Sequence, residues 1–164
     1  MLITLVLAVI MMAGLFLMLW GAVGFVQDRR FFSSAPKEAL EVIQPKEERF
    51  RGQHIVGWIM LILSMALMGG AMVCGAVDGI RKGFDFWRFF ARFAAMLLLL
   101  KAYDILFFDY YLLCRSGFFP RYYPEVKAVY GPHIFGYNKK SHAVQAVLMI
   151  LGALLLAWLC TSIK

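Results

Sequence analysis

The sequence predicts an all-helical integral membrane protein with four transmembrane helices, and three observations carry that prediction. Hydrophobic residues occupy 62% of the 164 positions and charged residues only 16%, whereas about 25% of a soluble globular chain is charged. Long apolar runs recur along the chain, and about 20 apolar residues suffice to cross a bilayer. The polar residues collect in two long connectors. We therefore expect a single membrane domain over residues 1–164.

The first predicted span covers about residues 2–26. At about 1.5 Å per residue, a helix of this length crosses a hydrocarbon core of about 30 Å with some tilt. The connector 27–53 follows, and its six Lys and Arg residues are nearly balanced by five Asp and Glu residues. We interpret it as a solvated connector, with one or two turns of surface helix at residues 38–43 as the alternative.

The second predicted span covers about residues 54–77 and is rich in small residues at four-residue spacing. These are Ala66, Gly70, Ala71, Gly75 and Gly79. Small residues let helix backbones approach closely in lipid, where no hydrophobic force drives helices together. We therefore expect this helix to pack against its neighbours, or against a second copy of the chain in a homo-oligomer or a larger membrane complex.

A tight turn at 78–85 leads into the third predicted span, about residues 86–113. Arg88 and Arg92 lie one turn apart at its start, where their side chains are expected to extend to lipid headgroups. The connector 114–141 is basic and rich in aromatic residues, as is typical of segments at the membrane interface. The fourth predicted span covers about residues 142–161.

The distribution of Lys and Arg predicts the orientation. The two long connectors carry eleven of these residues, whereas the short turn and the C-terminus carry three. Cytoplasmic loops are enriched in Lys and Arg, so we expect both connectors in the cytoplasm and both termini outside. The net charge of +7 then indicates contact with anionic lipid headgroups rather than with nucleic acid.

The strongest candidate site is a cluster of ionisable residues in the third span, namely Lys101, Asp104 and Asp109. At 100° per residue on an α-helix, Asp104 lies about 60° to one side of Lys101 and Asp109 about 80° to the other. An ion in the middle of a span costs about 2.5–3.5 kcal/mol on insertion scales, so it is expected to face protein or a water-filled cavity. The cluster therefore predicts a polar site that binds an ion, a proton or a charged headgroup.

Two other interpretations of this cluster remain open. Lys101 and Asp104 have the spacing of a helical ion pair and would then only fix helix packing. Alternatively, the span ends near Tyr103, and Asp109 lies at the membrane interface.

His54 and His142 begin the second and fourth spans and are weaker candidates. Facing each other, they would form a bis-histidine haem site or an acid–base pair. No third ligand is evident, so we predict neither a metal site nor a cofactor. A shift of 88 residues superimposes His54 on His142 and Pro36 on Pro124, which makes the two helical hairpins candidates for an internal repeat.

Three functions are compatible with these features. The first is transport or ligand binding at the polar site on the third span, with Arg88 and Arg92 as further candidate residues. The second is an enzyme that acts on a lipid headgroup at the cytoplasmic face, using the two aspartates and the two histidines. The third is an accessory or immunity-type subunit that binds another membrane protein.

Overall fold

A computed structural model of the protein describes residues 1–28, 31, 36–44 and 46–163, apart from the side chain of Lys37. Within these residues the chain is helical and contains no strand. The α-helices are α1 (Leu2–Trp20), α2 (Lys37–Val42), α3 (Gln53–Arg81), α4 (Phe86–Tyr103), α5 (Phe118–Tyr122) and α6 (Lys139–Ile163). Two π-helical segments, Gly21–Val26 and Asp104–Leu113, continue α1 and α4. Two 3₁₀ turns, Pro124–Ala128 and Pro132–Ile134, lie between α5 and α6.

Three helices of the described chain are long and apolar enough to cross a membrane. They are Leu2–Val26, Gln53–Arg81 and Lys139–Ile163, and they confirm the first, second and fourth predicted spans as helices of this kind. The third predicted span is also helical, but it is not among them. Its 18-residue α-helical part already contains Arg88, Arg92 and Lys101, and these charges reduce its hydropathy.

The chain forms two compact units whose segments alternate along the sequence. The first unit contains Met1–Gly14, Ala66–Tyr103 and Asn138–Lys164. The second unit contains Leu15–Met65 and Asp104–Tyr137. No single cut in the chain separates them, because α1, α3 and the helix that begins at Phe86 each contribute to both.

The core of the first unit lies where α4 packs against α6. Phe89 and Phe93 of α4 are buried together with Ala153 and Ala157 of α6. The small alanine side chains of α6 let the two phenylalanine rings of α4 pack closely against that helix. Gly79 of α3 serves the same purpose, since a Cβ atom there would lie 2.3 Å from a ring carbon of Phe89.

Only part of the predicted small-residue face of α3 packs against other described residues of the chain. A Cβ atom added at Gly75 would lie 3.5 Å from Leu7 and from Met96, so this glycine is a packing position. Gly70 and Gly152, by contrast, have no neighbouring atom within 4 Å of the added Cβ. Gly70 belongs to an exposed part of α3, and Gly152 is half-buried on α6.

The core of the second unit joins both connectors to the π-helical segments. Its buried residues are Val23, Ala39, Ile43, Leu112, Leu113, Cys114, Phe119, Tyr123 and Val126. Tyr123 and Phe119 come from the aromatic connector expected at the membrane interface, yet both are buried within protein. Ala39 of α2 and Ile43 of the first connector belong to the same buried cluster, so these two rings lie in a core and not in an interfacial belt.

Close backbone contact also holds the second unit together at the start of α3. A Cβ atom on Gly57 would lie 2.8 Å from the backbone nitrogen of Val26, which ends the π-helical segment Gly21–Val26. Gln27 follows with a left-handed backbone (φ 53°) and donates its N–H to the carbonyl of Ala22 at 2.8 Å. Only a glycine at position 57 permits this approach of the two helices.

Candidate functional site

The three residues of the predicted cluster are divided between the two units. Lys101 lies in the first unit on the last turn of α4, and its side chain is buried. Its ammonium nitrogen donates to Oε1 of Gln145 on α6 at 2.5 Å. Nε2 of Gln145 in turn donates to the hydroxyl of Ser141 at 3.3 Å. Gln145 was not among the predicted site residues, because a neutral amide gives no charge signal in the sequence.

Asp104 and Asp109 belong to the second unit, where both line one cavity of about 120 Å³ that we call the acidic cavity. The other lining residues are Leu19, Ala22, Val23, Phe31, Phe108, Leu113, Phe119, Tyr130 and Tyr137. The cavity therefore combines two carboxylates and two phenol hydroxyls with apolar and aromatic walls. Neither His54 nor His142 is among its lining residues.

The π-helical backbone explains why both carboxylates reach the same cavity. On an α-helix, residues five apart are separated by about 140° around the axis. Asp104 is the first residue of the π-helical segment, however, and Asp109 is five residues further on. A π-helix joins residues five apart by a backbone hydrogen bond, so these two lie one turn apart on the same side. The α-helical angle predicted for Asp109 is therefore wrong, because the helix widens at Asp104.

Two tyrosines line the cavity together with these carboxylates, the half-buried Tyr130 and the more exposed Tyr137. Burial raises the pKa of Tyr137 well above its ordinary value, and the negative charge of Asp109 adds to the effect, followed by weaker contributions that include Asp104. Burial alone raises the pKa of Tyr130 to about 12. Both phenols therefore stay protonated at neutral pH.

Arg92 is held inside the first unit and does not extend to lipid headgroups as predicted. Its guanidinium forms an ion pair with Asp78 at 2.8 Å and donates to the carbonyl oxygen of Gly75 at 2.7 Å. The same group lies over the ring of Phe84, 4.4 Å from its centre. Because α3 extends past the predicted end of the second span, it brings Asp78 to Arg92. Arg88, one turn earlier, is exposed.

The two candidate histidines lie in different units. His54 is in the second unit on the first turn of α3, with Nδ1 at 3.3 Å from Oε1 of Glu48. The Glu48 carboxylate also accepts the backbone N–H groups of Gly52 and His54, so it caps this helix. His142 is in the first unit on the first turn of α6 and is half-buried. Among the described residues, no three His, Cys, Asp or Glu side chains come together to form a metal site.

A polar network at the start of α3 was missed by the sequence analysis. Gln53 is fully buried. Its Nε2 donates to the carbonyl of Phe25 at 2.8 Å and to Oε1 of Gln27 at 3.0 Å. Its Oε1 accepts from the backbone N–H and the Nε of Arg49. The network occupies carbonyls at the C-terminal end of the first apolar helix that would otherwise lack partners.

No protein-family model, curated protein or solved structure matches the chain. The site is therefore interpreted from its own geometry.

Proposed function

We propose that the protein is a small membrane protein that binds a small organic ammonium ion in the acidic cavity and moves it across the bilayer. The observation that carries this proposal is the pair Asp104 and Asp109, which line one cavity together with aromatic rings. Carboxylates attract a cation, and the faces of Phe and Tyr rings favour a substituted ammonium over a strongly hydrated ion. At about 30 Å³ per water molecule, a cavity of about 120 Å³ holds roughly four waters or one small organic cation.

We further propose that the helix from Phe86 to Leu113, the third predicted span, also crosses the membrane, which brings the number of transmembrane helices to four. The 18 residues of its α-helical part alone cover about 27 Å at 1.5 Å per residue. Its buried cations have partners, as charges inside a membrane require. Arg92 is paired with Asp78 and Lys101 with Gln145. The cation distribution then supports cytoplasmic connectors and outward termini.

The binding step is tested by titrating the purified protein in mild detergent with tetramethylammonium in an isothermal titration calorimeter. We expect saturable binding that weakens about tenfold or more in Asp104→Asn and in Asp109→Asn, since each variant removes one of the two attracting charges. Glu41→Gln is the matched control, because Glu41 is an exposed carboxylate of the same unit that does not line the cavity. Binding that is absent in the wild type, or unchanged in both aspartate variants, contradicts the proposal.

Transport is tested separately in proteoliposomes loaded with tetramethylammonium. We expect efflux above that of empty liposomes, and the two aspartate variants are expected to lower it. A protein that binds the ion without moving it would retain the site but would not be a transporter.

A further inference from the structure

A second cavity of the second unit has the opposite character and takes no part in the proposed ammonium site. It has a volume of about 210 Å³ and we call it the basic cavity. Its lining residues are Gln27, Lys46, Glu47, Arg49, Arg121, Tyr122 and Pro124. Three cationic side chains thus meet one carboxylate. Lys46 and Arg49 come from the first connector and Arg121 from the second, which the sequence separates by more than 70 positions.

Two of the three cations are fixed in place by neighbouring groups. The ammonium of Lys46 lies 2.9 Å from Oε2 of Glu125 and 5.7 Å from the centre of the Tyr123 ring. Arg49 donates through Nε to Gln53 at 3.2 Å and through Nη2 to the carbonyl of Gly24. A ligand therefore meets side chains that are already ordered, which lowers the entropic cost of binding.

These contacts leave most of the donors available. An ammonium has three donor hydrogens and a guanidinium has five. The contacts with Glu125, Gln53 and Gly24 use one hydrogen of Lys46 and two of Arg49. Arg121 is exposed on α5, so its planar donor group can turn toward a ligand. These donors suit a tetrahedral oxyanion, because one guanidinium can donate two parallel hydrogen bonds to two oxygens of a phosphate group.

We propose that the basic cavity binds a phosphate group, either of a phospholipid headgroup or of a soluble phosphate compound. The ion pair with Glu125 compensates the charge of Lys46. The attraction for an anion therefore rests on Arg49 and Arg121, which outnumber the carboxylate of Glu47. The connectors are proposed to face the cytoplasm, where anionic headgroups are concentrated, which makes a lipid the natural source of the phosphate. The site differs from the acidic cavity in its residues and in the sign of its ligand.

The test compares two probes, inorganic phosphate and short-chain phosphatidic acid, by the thermal stability of the detergent-purified protein. A ligand that binds only the folded state raises the melting temperature with its concentration. We expect saturable stabilisation by at least one probe. If phosphatidic acid raises the melting temperature at a much lower concentration than inorganic phosphate does, the cavity is a lipid site. If both probes act at the same concentration, the cavity recognises the phosphate group alone. Short-chain phosphatidylcholine, which has no net charge, is expected to act more weakly than phosphatidic acid.

Arg121→Gln is the decisive variant, since its exposed side chain can be replaced without disturbing the core. We expect it to weaken the effect of the active probe about tenfold, and Arg49→Gln to act in the same direction. Arg51→Gln is the matched control, because Arg51 is an exposed arginine of the connector that carries Arg49 and does not line the cavity. The proposal is overturned if neither probe stabilises the protein or if Arg121→Gln responds as the wild type does. Tetramethylammonium binding by Arg121→Gln keeps this outcome separate from the fate of the acidic cavity.

Discussion

Arg92 in the first unit and Arg49 in the second make two contacts of the same kind and differ in a third. Each guanidinium donates to a backbone carbonyl of an apolar helix, Gly75 for Arg92 and Gly24 for Arg49. Each lies over an aromatic ring, at 4.4 Å from the centre of Phe84 and 5.5 Å from that of Tyr122. Arg92 also pairs with the carboxylate of Asp78, whereas Arg49 has the neutral amide of Gln53.

The difference follows from burial. Arg92 is 5% exposed, and an isolated charge at such depth is too costly unless a countercharge accompanies it. Arg49 is exposed at the edge of the basic cavity, so water compensates its charge. Carbonyl and ring contacts fix the position of a guanidinium in both units, while only the carboxylate removes its charge. The first unit therefore neutralises its buried arginine, and the second unit keeps a positioned positive charge for a ligand.

The largest effect is expected where the buried pair is broken. Arg92→Met removes the hydrogen bonds of a charged group to Asp78 and to the carbonyl of Gly75. We expect a loss of about 3 kcal/mol from these contacts, and no more, because Asp78 is partly exposed and Lys82 still lies 2.9 Å from it. The free energy of unfolding in detergent measures the change. Arg88→Met, one turn away and exposed, is expected to change it by less than about 0.5 kcal/mol. If Arg88→Met loses as much unfolding free energy as Arg92→Met, the buried ion pair of Arg92 is not what stabilises this unit.

A smaller loss is expected from Gln53→Leu, which tests the neutral partner in the second unit. The leucine leaves the carbonyl of Phe25 without this partner, whereas water can replace Gln53 at the exposed Arg49. We expect a loss of about 1–2 kcal/mol, within the range for one buried hydrogen bond. Gln44→Leu is the control, because the Gln44 side chain is exposed. The free energy of unfolding in detergent is compared between the two variants and the wild type. If Gln53→Leu is as stable as the wild type, the amide network does not hold Arg49 in place.

The smallest expected effect is the change in folding stability with pH that results from ionisation of Glu125. Burial opposes ionisation of Glu125, but its own backbone N–H, the Lys46 ammonium and the backbone N–H of Gln44 outweigh burial and hold its pKa below the ordinary 4.5. A carboxyl group whose pKa is lowered by folding stabilises the folded state above pH 4.5, and this contribution disappears as the pH falls through the lower, folded value. We expect less than about 1 kcal/mol, because both side chains are partly exposed.

Melting temperatures of wild type and Lys46→Met at pH 7 and pH 3 test this expectation. The variant should be less stable at neutral pH, and the gap should narrow in acid as Glu125 is protonated. Lys127→Met, at an exposed lysine of the connector that carries Glu125, is expected to show no such convergence. A gap that stays constant with pH would show that the ion pair contributes nothing to stability.

The sequence was most informative about helices, because apolar runs of sufficient length have few alternatives to a membrane-spanning helix. The predicted helix ends were too early where polar residues continue a helix. The span predicted at 54–77 is part of a helix observed at Gln53–Arg81, since Asp78 and Arg81 extend it beyond the apolar run. The short helix that was the alternative for residues 38–43 is observed at Lys37–Val42. The third span, the single-domain organisation, the orientation and the internal repeat remain predictions.

The predicted site residues remain candidates, and the structure groups only two of the three. Charge marked Lys101, Asp104 and Asp109, yet Asp104 and Asp109 line a cavity with Tyr130 and Tyr137 from a distant connector. The widening of the helix at Asp104 has no recognisable signal in residues 104–113, so an α-helical projection put Asp109 in the wrong direction. Gln53 and Gln145 are uncharged amides whose importance depends on burial and on partners far along the chain.

The wide turn at Asp104–Leu113 also bears on how this protein can change during evolution. Each ring closed by a π-helical hydrogen bond holds one residue more than its α-helical counterpart. Loss of one residue here would therefore tighten the helix toward α-helical geometry, while rotating the residues beyond it by about 100° relative to those before it. A single-codon deletion could thus exchange the side chains presented to the acidic cavity in one step, which point substitutions would achieve only one residue at a time.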